Sequence, residues 1–284
     1  MIQAYLLRAL VAAAMTSVAT AVLGVYVVSR RLSSVGAALA HTALAGAVLG
    51  HLLGADPYLS ALVVNVAFSA LIAYLSLGNV REAETVIGLL FGFSAALAVT
   101  LVSLIKEYTV VAWTYLVGDV LGVSLGDIMF LAAVSVTAVN LVAALYKEFK
   151  FVTFDFEGAR AMGLNAALYH FVMVVLIALV ATVCLRTVGS ILTTVLLVAP
   201  AAAARKLTHS FERAMALSVL ISLASSLTGL YLSVQLNLAT SGVIGLSAAA
   251  AYFVVSLVVA KLKYCKKCRL LVQRPSELKL IDKD

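Results

Sequence analysis

The sequence predicts an all-α protein, a polytopic transmembrane helical bundle of eight or nine spans, and three observations carry that prediction. Of 284 residues, 64% are apolar and 12% charged, about half the charged fraction of an ordinary soluble domain. Apolar runs of about 20 residues, long enough to cross a hydrocarbon core as helix, recur along nearly the whole chain. Runs such as Val174 to Leu185 are apolar but for Thr182 and lack the in–out alternation of a barrel strand.

The spans fall at roughly 3–28, 36–54, 58–77, 85–105, 127–146, 168–185, 189–204, 212–235 and 241–260. The first contains Ala19-Thr20-Ala21, which resembles a signal-peptide cleavage site, but its apolar stretch runs on through Val27-Val28 to Arg30-Arg31. It is therefore expected to be a retained helix. Residues 106–126 are interrupted by Gly118, Asp119, Gly122 and Gly126; they are expected as an outer loop or a re-entrant segment packed on protein. Asp119 there either touches substrate or caps a turn. Pro200 removes a backbone donor and kinks its span. The longest polar interval, Lys147 to Asn165, is too short for a soluble domain. The expected organisation is a membrane domain over 1–263 and a basic tail over 264–284.

The net charge of +7 reports orientation. If Arg30 and Arg31 face the cytoplasm, alternation of the spans puts seventeen Lys and Arg inside and only Arg8, Lys106 and Arg186 outside, a strong positive-inside bias. That predicts a multi-pass protein of the cytoplasmic (plasma) membrane with a cytoplasmic C-terminus. It offers basic groups to lipid headgroups and has no nucleic-acid footprint. The sequence holds no G-x-x-x-x-G-K-[ST] phosphate loop and no H-E-x-x-H. The chain is thus not expected to be an enzyme, and any ATP would be hydrolysed by a separate polypeptide.

Few residues carry chemistry. His41 lies inside the second span, and an ionisable group at membrane depth is a functional candidate by default; neutral imidazole is also the commonest transition-metal ligand. His51 lies about 15 Å further along the same helix. With Asp56 it is either an entrance group or an interfacial one. Gly46, Gly50 and Gly54 recur every four residues, a spacing that lets helices approach closely in lipid. Of the cysteines, Cys184 reads as a small packing residue. Cys265 and Cys268 supply half of a tetrahedral zinc site and read as incidental tail cysteines. His170 and His209 stand alone in the sequence.

Four stretches, in order, resemble one family. They are the Arg30-Arg31-Leu32-Ser33-Ser34-Val35-Gly36-Ala37-Ala38-Leu39-Ala40-His41 stretch, Tyr115-Leu116-Val117-Gly118-Asp119, Phe154-Asp155-Phe156-Glu157-Gly158-Ala159-Arg160-Ala161-Met162-Gly163, and Val188-Gly189-Ser190-Ile191-Leu192 through Pro200 to Arg205. The family is the permeases of bacterial and archaeal zinc/manganese importers, driven by an ATP-binding cassette. The resemblance implies an architecture shared with the vitamin B12 and iron-chelate importer permeases. It also implies a homodimer around a central pathway, a cytoplasmic ATP-binding cassette subunit, and an extracytoplasmic metal-binding protein that delivers substrate. Residues 154–168 would form a cytoplasmic coupling helix, with Asp155, Glu157, Arg160 and Gly163 meeting the ATPase. The chain itself would bind no cofactor; the divalent metal, zinc or manganese, is its cargo.

One position departs from the family. Where these permeases usually carry an aspartate four residues before the histidine, this chain has Ala37. Only His41 carries over as a pathway ligand, and losing a carboxylate weakens hard ions most. Zinc is therefore expected over manganese. A permease for a chelated metal or vitamin, or an ATP-independent secondary transporter, are the alternative readings.

Overall fold

The computed structural model describes residues 2–77, 80–105, 118, 120 and 122–273, giving backbone alone for 2–4, 80–83 and 263–273. Asp119, the thiols of Cys265 and Cys268, and most of the 106–126 segment lie outside the described residues. Among those described there is helix and no strand. The long helices are α1 (Ile2–Ser29), α2 (Ser33–Leu52), α3 (Pro57–Leu75), α4 (Val80–Ser103) and α5 (Leu125–Ala144). Two short ones, α6 (Tyr146–Phe154) and α7 (Phe156–Ala161), precede α8 (Ala166–Leu207), α9 (Phe211–Leu236) and α10 (Thr240–Gln273). Eight are long and apolar enough to cross a membrane.

Local chemistry sets the boundaries. Asp56 caps α3, accepting from the Tyr58 and Leu59 amides at 2.8 and 3.1 Å, with Pro57 in the first turn where its missing donor costs nothing. Ser124 and Asp127 form a reciprocal capping box at α5. Asn165 caps α8 through the Leu168 amide.

At 42 residues, α8 would span about 63 Å as one rod, twice a bilayer core. It instead folds back at Gly189, whose φ of +83° and ψ of 167° only glycine adopts without strain. Contacts on the two arms show the reversal. His170 near its start and Arg205 near its end both lie at the end of the bundle that carries Arg30 and α6, His170 beside Arg30 and Arg205 over the ring of Phe154. Arg186, next to the bend, meets Asp127 and Tyr58 at the opposite end. The two spans expected over 168–185 and 189–204 are therefore the arms of this bent helix. Among the described residues the eight apolar helices thus supply nine apolar arms, and no polar loop separates the two arms of α8.

The core lies where α1, α2 and α8 meet, flanked by α3, α9 and α10. Some buried hydroxyls there bond their own preceding turn, as Thr42 does to the Ala38 carbonyl at 2.8 Å and Thr193 to that of Gly189 at 2.7 Å. This satisfies them without a neighbouring helix. The polar interval also differs from expectation. A single helix over 154–168 is replaced by two short helices broken at Asp155, whose carboxylate turns back to accept from the Gly158 amide at 2.8 Å; residues from Ala166 onward already belong to α8.

Candidate functional site

His41 is the ninth residue of α2, about 12 Å along the helix axis from its start. It shares a half-buried strip with Ser34 and Ala37, whereas most of α2 is fully buried. Its ring sits 5.6 Å from that of Phe91 on α4. Among the described residues no three His, Cys, Asp or Glu side chains converge on a metal-sized site. The described residues thus offer a single imidazole on this half-buried strip, and Ala37 adds no donor one turn away.

The glycines part company. Gly46 and Gly50 face α3, where a Cβ on either would press on Ala61, Val64, Ser60 or Pro57. Gly54 does not share that face: it lies beyond α2 at φ +68°, where a Cβ would meet no described residue within 4 Å. The Ala55 amide bonds the Gly50 carbonyl and the Gly54 amide that of His51, so Gly54 is a left-handed helix stop.

At the end away from Arg30, His51 is exposed and Asp56 serves as the α3 cap. Near Asp56, Arg186 Nε lies 2.6 Å from Asp127 Oδ1, and the guanidinium stacks 3.7 Å above the Tyr58 ring. A cavity of about 350 Å³ is lined by Asp56, Tyr58, Ser124, Asp127 and Arg186. Sequence reasoning missed this cluster; the available signal was an isolated arginine at the end of an apolar span facing the side otherwise poor in basic residues.

The opposite end gathers the basic residues. Asp155 caps α7, Glu157 and Arg160 form an exposed pair at 3.6 Å, and Gly163 ends α7 at φ +85°. A cavity of about 450 Å³ lies among Leu77, Phe156, Arg160, Gly163 and Asn165. Behind it an aromatic cluster seats α6: Phe149 lies edge-on to Tyr26 and Tyr169, and Phe211 contacts Tyr26, Tyr146 and Phe154. Lys150 bonds Glu212 at 2.5 Å, which holds the ammonium pKa above its ordinary value. His170, alone in the sequence, is not alone in the fold. Its ring is buried with both nitrogens engaged, by Arg30 and Ser76, groups far away in sequence. Burial pushes the Arg30 guanidinium down to about 10, which leaves it charged at neutral pH.

Comparison with known proteins adds the following. A family model described as the ABC 3 transport family matches residues 2–259. The manganese transport system membrane protein MntC of Listeria monocytogenes is 30% identical over 257 residues, 90% of this chain and 91% of that protein. The high-affinity zinc uptake system membrane protein ZnuB of Haemophilus influenzae is 28% identical, over 80% and 87%. Among solved structures, PsaBC from Streptococcus pneumoniae in complex with Fab superposes with a TM-score of 0.80 at 27% identity, covering 93% of this chain and 95% of that one. An inward-facing putative metal-chelate type ABC transporter shares the fold, with a TM-score of 0.73 at 16% identity over 88% and 85%.

Proposed function

Because the chain belongs to the ABC 3 transport family, we propose that it is the membrane permease subunit of an ATP-binding cassette importer for free divalent transition metals, carrying zinc in preference to manganese. The chain carries the pathway and a partner subunit hydrolyses ATP. Two copies face one another across the pathway, so that the open strip of α2 from each brings one His41 to the centre. The end with Arg30, α6 and α7 is cytoplasmic and receives the ATPase on Asp155, Glu157, Arg160 and Gly163. The end with His51 and Asp56 faces outward, where a metal-binding protein delivers cargo.

The observation that carries this reading is the half-buried His41 at membrane depth. An imidazole there is costly unless used, and it is set on a strip that the chain leaves half-buried, beside the Phe91 ring of α4. Zinc accepts nitrogen ligation readily, whereas manganese favours carboxylate oxygen, and Ala37 leaves this strip without a carboxylate. The names of the relatives include both manganese and zinc systems, manganese the more often; the missing carboxylate at position 37 is what supports zinc here.

The test is uptake of zinc, manganese and iron at equal free-ion concentration by the reconstituted complex, with His41→Ala as the variant. Zinc uptake exceeding manganese uptake, and abolished by the substitution while assembly and ATP hydrolysis persist, is the expected result. Manganese uptake in excess of zinc overturns the preference. Uptake that survives His41→Ala makes the histidine structural, and no uptake of any free ion by the native complex points to a chelated substrate.

A further inference from the structure

We propose that the corner between α1 and α2 transmits movement of the α6–α7 segment to the helix bearing His41, with Arg30, His170 and Ser76 as its positioning residues. This rests on reading α6–α7 as the ATPase contact.

The polar part is a one-directional chain. Arg30 Nη1 lies 2.6 Å from His170 Nδ1, and His170 Nε2 lies 2.7 Å from Ser76 Oγ. A guanidinium offers only donors, so Nδ1 accepts and the ring proton sits on Nε2. Ser76 Oγ then accepts from the ring and donates to the Ala73 carbonyl at 3.3 Å. Arginine thus sets the tautomer, and the chain joins the α1–α2 corner, the C-terminal end of α3 and the first turns of α8. No carboxylate among the described side chains pairs with Arg30. Apolar contacts would tie the same three elements with less desolvation; what the polar chain adds is direction.

The aromatic part meets the same corner. Phe149 of α6 is fully buried, with its ring 6.0 Å from Tyr26 and 6.1 Å from Tyr169. The Tyr26 carbonyl accepts the Arg30 amide at 3.0 Å, and Tyr169 precedes His170 in the chain. One side chain of α6 therefore presses on the supports of both partners of the Arg30–His170 bond. The corner has no slack: the Arg31 amide bonds the Val28 carbonyl, the Leu32 amide bonds that of Val27, and Arg31 takes φ +59°. α2 begins at Ser33. Displacing Phe149 therefore either shifts the start of α2 or breaks the His170 chain, and these are the two states of the element.

The experiment measures ATP hydrolysed and zinc taken up in the same vesicles, using the permease with its ATPase. The native complex comes first: failure to show ATP-driven zinc uptake would fail the reading of the chain as a permease for free zinc before any variant is compared. In Ser76→Ala and Arg30→Lys, hydrolysis is expected to stay within about twofold of native while zinc moved per ATP falls about fivefold or more. The double variant is expected to be no worse than the worse single, because both act through His170. Zinc per ATP unchanged, uptake and hydrolysis falling by one common factor, or the two defects multiplying in the double variant would each overturn the proposal. Ser76→Ala removes a single hydroxyl, so the test survives if the Arg30 variant fails to assemble.

Discussion

Helices α2 and α4 both carry glycines four residues apart, Gly46 and Gly50 on one, Gly88 and Gly92 on the other, and their surroundings are opposite. A Cβ on Gly46 would sit 2.8 Å from Ala61 Cα and 2.9 Å from Val64 Cβ, and one on Gly50 would sit 3.1 Å from Pro57 Cα. A Cβ on Gly88 or Gly92 would meet nothing within 4 Å among the described residues. α2 is wrapped by α3, α4 and α8, whereas α4 packs on α2 and α3 and exposes Leu89, Phe93 and Val99. The difference teaches that small-residue spacing marks a helix able to pack closely. Whether anything of the same chain packs there depends on where the bundle puts it.

The largest effect should come from filling the crowded face. Gly46→Ala is expected to destabilise the protein by about 1–3 kcal/mol, the cost of overpacking against backbone, read as a lower thermal midpoint in detergent. An unchanged midpoint would mean that α2 and α3 separate cheaply and that the contrast with α4 is not real. A smaller effect is expected one layer out. Asn65 on α3 donates to the Ala178 carbonyl at 3.0 Å and to Thr182 Oγ1 at 2.8 Å, pinning α3 to α8. Asn65→Leu should cost about 0.6 kcal/mol and no more than about 1.7, the measured range for interhelical bonds in lipid. The smallest effect, of opposite sign, belongs to α4. Gly88→Ala should raise stability by at most about 1 kcal/mol through helix propensity. A fall instead, accompanied by loss of the crosslinks expected of the proposed homodimer, would mean that a second copy covers this stripe as tightly as α3 covers α2.

Much of the architecture is legible in the sequence, and what is not legible has definite physical causes. The spans follow from apolar length, which composition displays directly. The two passages over 168–185 and 189–204 were legible because Arg186 and Gly189 interrupt the run; that one left-handed glycine makes the bend was not, because backbone dihedrals leave no mark in composition. Gly54 belonged by spacing to the stripe of Gly46 and Gly50, yet α2 ends before it, and helix ends depend on capping bonds such as that from the Ala55 amide to the Gly50 carbonyl. His41 was visible as a candidate because an imidazole in an apolar run is conspicuous. Its half-open setting was not, since exposure depends on which helices stand beside it.

Local properties could be read from the chain: helicity, span length, the distribution of charge and the isolated imidazole all depend on residues within a few turns of one another. Folding alone brought together Arg30 and His170, 140 positions apart, and Ser76 and His170, 94 apart. The same holds for Arg186 with Asp127 and for Phe149 between Tyr26 and Tyr169. Those pairings depend on how helices pack across the bundle, and no periodicity within a single segment encodes which distant segment will cover it.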